Sequence, residues 1–166
     1  MRDLLTRAIA TPPSPFTDGA LLVGRIMIVL ALIPNGLRKI ATFGPTAKGM
    51  GGEPQLMDGR VFPDQTPLFY FPAPELFLGV SIVFDLAGAL LVILGLRTRA
   101  VSLFLAGYVL LAMTIFHSDI RHAQDVMHIL RNLPFLAGLI VLAGVGPGHW
   151  SLDGAAARRP APAATV

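Results

Sequence analysis

The chain of 166 residues has no cysteine, is 54% hydrophobic and 14% charged, and carries a formal net charge of +3 with a mean hydropathy of +0.66. The lack of thiols excludes a c-type haem attachment, a cysteine-ligated iron–sulfur cluster, a thiolate nucleophile and disulfides. So small a basic excess lacks the continuous basic face that nucleic-acid binding needs, and it suits anionic lipid headgroups instead, so lipids are expected partners and nucleic acid is not.

Residues 1–18 hold Arg2 and Arg7 and then run through TPPSP. A cleavable signal would place its apolar region directly after the charges, so this segment reads as an N-terminal cytoplasmic tail and the first span as a retained helix. Apolar stretches follow at 19–37, 76–96, 100–116 and, with a polar approach, 132–145. A hydrocarbon core about 30 Å thick takes roughly 20 helical residues, and a soluble chain of this size seldom holds four such runs. The expected fold is therefore an all-α integral membrane protein, an antiparallel four-helix transmembrane bundle formed by one domain over 19–153.

Pro34 should kink the first span near its exit, because it removes a backbone hydrogen bond. Residues 40–74 then form a long outer loop dense in Gly and Pro, too long for an ordinary connection and so read as a functional lid or a mobile segment. The aromatic cluster Phe69, Tyr70 and Phe71 precedes span two, as in an interfacial belt. Only Gly95-Leu96-Arg97-Thr98-Arg99 separates spans two and three, which makes them antiparallel neighbours. After His117 the polar stretch HSDIRHAQDVMHILRN leads into the last helix, expected over 124–145. Residues 154–166 read as a disordered C-terminal tail. Lys and Arg divide evenly between the two faces; the short loop at Arg97 and Arg99 outweighs the rest and places both termini in the cytoplasm.

Ionisable groups inside a membrane span are costly and must seek partners. Arg25 in span one and Asp85 near the middle of span two are expected to form an intramembrane polar pair, structural or substrate-binding. Near the other face, His117, Arg121, His122, Asp125 and His128 cluster, with His122–Asp125 and Asp125–His128 at i,i+3 on a helix. Imidazole with carboxylate suits a proton relay near neutral pH, and these five residues are the candidates for a quinone or proton site. None of the zinc spacings is present, so no metal is expected, and no histidine falls inside an apolar run, which argues against a buried bis-histidine haem.

The order of Arg25, Gly36-Leu37-Arg38-Lys39, the Gly95–Arg99 turn, His117, Asn132 and the terminal Gly146-Pro147-Gly148 with Ser151-Leu152-Asp153 resembles the DoxX family over 19–153. The resemblance implies a four-helix inner-membrane protein; founding members are linked to a terminal quinol oxidase or a thiosulfate:quinone oxidoreductase, and others are membrane partners of redox-protective enzymes. The long loop and Asp85, where many relatives carry a glutamate, depart from the pattern. On this resemblance the chain is expected in the bacterial inner membrane as a subunit or accessory of a quinone-linked redox system. Its electrons would then come from another redox protein subunit, and a second copy of the chain is a further expected partner. Two other readings stay open: an anchor or assembly partner without chemistry, and a small lipid or solute carrier using Arg25 and Asp85.

Overall fold

The computed structural model describes residues 15–57, 59–62 and 67–158. In chain order the elements are α1 (Pro15–Val29), α2 (Leu32–Ala41), α3 (Phe43–Met50), β1 (Gln55–Met57), β2 (Arg60–Phe62), α4 (Pro74–Leu94), α5 (Thr98–Phe116), α6 (Ala123–Val145) and α7 (Leu152–Ala157). Four segments are long and apolar enough to cross a membrane: α1 with α2 as one span, α4, α5 and α6. No more than 33% of the apolar window of any of them is buried within the protein, and only 11% in α6, so rows of side chains such as Leu103, Phe104, Leu110 and Leu111 on α5 are left facing outward. Such faces suit contact with lipid.

The first span is interrupted at residues 30–31, one turn before Pro34. Proline has no N–H to offer the carbonyl four residues back, and helical bonding resumes where the Asn35 N–H reaches the Ala31 carbonyl at 3.4 Å. Helix α4 opens with Pro74 and Glu75, the residue types favoured in a first turn, and closes at Gly95 with φ 69°. There the Leu96 N–H returns to the Leu91 carbonyl at 3.0 Å, a left-handed helix end that a glycine adopts at little cost. Gly36 serves a different need: a Cβ there would run into the Leu86 side chain, so its absence lets α2 lie close against α4.

The stretch 40–74 is not a structureless loop. The end of α2, helix α3 and a two-stranded antiparallel hairpin pairing Leu56 with Val61 occupy much of it. Its apolar residues are too few to show a period, yet Ala47, Met50 and Phe71 bury themselves against Leu78 and Ile115. Backbone bonds from Leu68 to Ile115 (2.8 Å) and from Phe71 to Met50 (3.0 Å) complete this cap over the ends of α4 and α5. The main core lies at the other end of the bundle, where Val29, Leu32, Ala89, Val92, Leu105, Ala106, Leu139 and Leu142 meet. Helices α5 and α6 make the most extensive pairing and α2 with α4 the next. Arg99 reaches the Val145 carbonyl at one end of the α5–α6 pair and His117 meets Asp125 at the other.

The chain after α6 folds back across the ends of α1, α4 and α5. Asp153 accepts the Arg97 and Thr98 N–H groups at 2.8 and 3.0 Å and so caps α5 from 55 residues away, while Asp18 accepts the His149 N–H at 2.8 Å. Helix α7 occupies part of the segment expected to be disordered, and Ser151 caps it through the Gly154 N–H at 3.0 Å. Residues 159–166 and 1–14 lie outside the described residues.

Candidate functional site

Between α2, α4, α5 and α6, under the cap, lies a cavity of about 980 Å³. That is at the upper end of the size of small-molecule sites, and its wall is the usual mixture of an apolar surface with a few polar groups. Phe62, Phe69, Phe71, Phe77, Phe84, Phe135, Met50, Met57 and Met113 supply most of the surface.

At its depth stands a polar network. Asp85 is fully buried, eleven residues after Pro74 and nine before Leu94, or about 16 and 14 Å from the two ends of α4. Lys39 Nζ donates to Asp85 Oδ2 at 2.8 Å and to Tyr108 Oη at 3.0 Å, and Asn35 Nδ2 donates to the same carboxylate oxygen at 2.8 Å. Asn35 and Lys39 are one helical turn apart, so α2 presents both to α4. Asp85 Oδ1 is buried and has no hydrogen-bond partner among the described residues, which leaves one strong acceptor to be satisfied inside the bundle.

Nearer the cap, His117 and His128 line the same cavity with their rings stacked, centroids 4.1 Å apart and 5° from parallel. Buried Asp125 holds His117 through Nδ1 at 3.1 Å and takes the Asp119 N–H on its other oxygen at 3.2 Å. A carboxylate on Nδ1 fixes the ring and its tautomer, turning Nε2 away from the carboxylate. Arg121 and His122 lie on the exposed turn before α6 and do not line the cavity; His122 pairs instead with Asp119 at 3.1 Å. The Arg121 N–H, donated at 3.0 Å, holds the Asp119 carboxyl below its ordinary range. Of the five expected quinone or proton residues, the structure thus brings His117, Asp125 and His128 together and leaves two outside.

The expected pairing of Arg25 with Asp85 is not made. Arg25 is fully buried, but its Nη2 donates to the Trp150 carbonyl at 2.6 Å and its guanidinium lies against Gly95. Gly95 is ten residues beyond Asp85 on α4, about 15 Å along the axis. The arginine extends toward the end of the bundle, where the returning chain offers a carbonyl and Asp153 an opposite charge, while Asp85 is met by a lysine at its own height. Lys39, Asn35 and Tyr108 are not among the site residues expected from the sequence: the first apolar run stops at Leu37, and Tyr108 is one hydroxyl within an apolar span. The signal that finds the first two is the i,i+4 recurrence of Asn35 and Lys39 on one helix face.

The family model for DoxX matches residues 20–118. The chain is 29% identical to the inner membrane protein YqjF of Escherichia coli (strain K12) over 136 residues, 82% of this chain and 91% of that protein. It is 26% identical to the inner membrane protein YphA of the same organism over 138 residues, covering 80% and 87% of the two. No solved structure matches the chain. Four membrane-length helices, the matched segment and these two relatives lead to one conclusion: the chain belongs to the DoxX family of membrane proteins.

Proposed function

We propose that the protein is an inner-membrane subunit of a quinone-linked redox system, with both termini in the cytoplasm, and that its cavity holds the quinone. One observation carries the reading: a single cavity of about 980 Å³ joins an apolar, aromatic wall to two separate polar stations, Lys39–Asp85–Tyr108 at depth and His117–Asp125 with His128 near the cap. A quinone needs this combination, an apolar sleeve for its tail and hydrogen-bond donors for its carbonyl oxygens. Lys39 Nζ and Tyr108 Oη are donors able to meet such an oxygen, the buried Asp85 Oδ1 is a free acceptor, and His117, held by Asp125, lines the same cavity. When bound, the quinone supplies two-electron chemistry, with electrons arriving from a partner redox subunit. The chain itself binds, orients and holds the protons.

The test is to purify the protein in mild detergent with its bound partners and extract quinone from it. Wild type should retain quinone, and His117→Ala should lower the electron flow of the associated oxidoreductase while insertion and folding stay intact. Retention of no quinone, together with wild-type electron flow in His117→Ala, would favour the anchoring role instead.

A further inference from the structure

We infer that the cavity is built for an amphiphile whose head is an anionic oxygen group, a carboxylate, a phosphate or an ionised phenolic hydroxyl, on an apolar body. The inference rests on the ligand-holding role of the cavity but not on the ligand being a quinone. Three permanent cations line the cavity, Arg38, Lys39 and Arg131, against one carboxylate, Asp85. Asp85 is already taken by Lys39 at 2.8 Å. Arg38 makes only a long bond to the Asn35 amide oxygen at 3.4 Å, and among the described residues neither arginine has a carboxylate partner. The wall therefore carries an uncompensated excess of two positive charges.

Both arginines are exposed, so their donor forks are open to a ligand. Arg38 adjoins Lys39, whose ammonium is level with the middle of α4. Arg131 stands eight residues inside α6, about 12 Å from its start and about 21 Å from its end. Two guanidiniums on one cavity wall, beside a lysine, repel one another. A guanidinium presents a planar fork of donors matched to carboxylate or phosphate oxygens, so an anionic head between α2 and α6 relieves the repulsion and satisfies both forks. The apolar body would lie along the phenylalanine and methionine wall. A neutral head leaves the two charges uncompensated.

The experiment uses the full chain in phosphatidylcholine nanodiscs, with dodecyl phosphate, dodecanol, inorganic phosphate and a short-tailed neutral quinone as calorimetric probes. Dodecyl phosphate should bind at least about tenfold more tightly than dodecanol, the effect of 1.4 kcal/mol of charge pairing. Inorganic phosphate should not compete, which separates a lipid-borne head from a free ion. Arg38→Gln with Arg131→Gln should remove the preference and leave dodecanol affinity unchanged, so the alcohol also reports that the cavity is intact. Equal binding of phosphate and alcohol by the wild type overturns the inference whatever the variants do. If the neutral quinone binds well and the double glutamine change leaves it untouched, with no phosphate preference, the quinone reading survives and this one falls. If dodecyl phosphate binds and the quinone does not displace it, the inference stands and the quinone reading falls.

Discussion

Replacing Asp85 by Asn keeps the volume and both hydrogen bonds at the deep station but removes the charge that Lys39 faces. At 2.8 Å and an effective dielectric constant of about 20, the Coulomb attraction between the two is about 6 kcal/mol. Part of it is offset because the carboxylate no longer has to be held away from water, and Lys39, 18% exposed and still bonded to Tyr108, is not fully stranded. The net loss should be about 3 kcal/mol, the lower end of what breaking a buried pair costs. Lys39→Met should cost a similar amount, and the double variant should recover about 2 kcal/mol of the summed loss, since neither charge is then left alone. The assay is reversible unfolding of the protein in mixed micelles followed by far-ultraviolet dichroism, in a complete double-mutant cycle. Strictly additive losses for Lys39 and Asp85 would refute the pairing. The same cycle with Arg25→Gln and Asp85→Asn should be additive to within about 0.5 kcal/mol, because those side chains bond elsewhere.

Gly95→Ala should destabilise by at least about 2 kcal/mol, because a Cβ at φ 69° is strained and would also collide with Arg25 and Ser151; a melting temperature within a degree of wild type would count against the described packing. Asp153→Ala should cost about 1 to 2 kcal/mol by uncapping α5, visible as faster hydrogen exchange at the Arg97 and Thr98 amides, whereas Asp153→Asn, with one acceptor oxygen in place of two, should protect only one of the two amides. A reporter active only in the periplasm should be silent when fused at Val166 and active when inserted near Gly51; the opposite result would reverse the proposed orientation.

The membrane-spanning character was legible because it depends on sums: runs of apolar residues as long as a bilayer is thick announce themselves whatever they pack against. The break near Pro34 was legible for a similar reason, since the missing N–H acts within one turn. Partner choice was not. Arg25 and Asp85 were matched as the two obvious charges inside apolar runs, but an arginine reaches several ångströms along its helix, and which way it points is decided by a carbonyl at Trp150, 125 residues away. The first apolar run stops at Leu37, yet α2 continues to Ala41, and the apolar four-carbon stem of Lys39 carries its ammonium to Asp85. The folded cap over 40–74 was hidden because its helix and hairpin are too short to display a period; Met50 and Phe71 are recognisable as core only once Leu78 and Ile115 are beneath them. In the histidine cluster, Asp125 and His128 lie on α6, where helical spacing applies, while Arg121 and His122 belong to the turn before it, where it does not.

The tie between Arg25 and Trp150 also sets a timetable. A ribosome adding about 5 to 20 residues per second needs about 6 to 25 s to proceed from the arginine to its acceptor. Throughout that interval the guanidinium lacks this acceptor, which comes only once residue 150 has been made. A protein cut short between α6 and Trp150 would keep all of its spans and leave the Arg25 guanidinium without this acceptor.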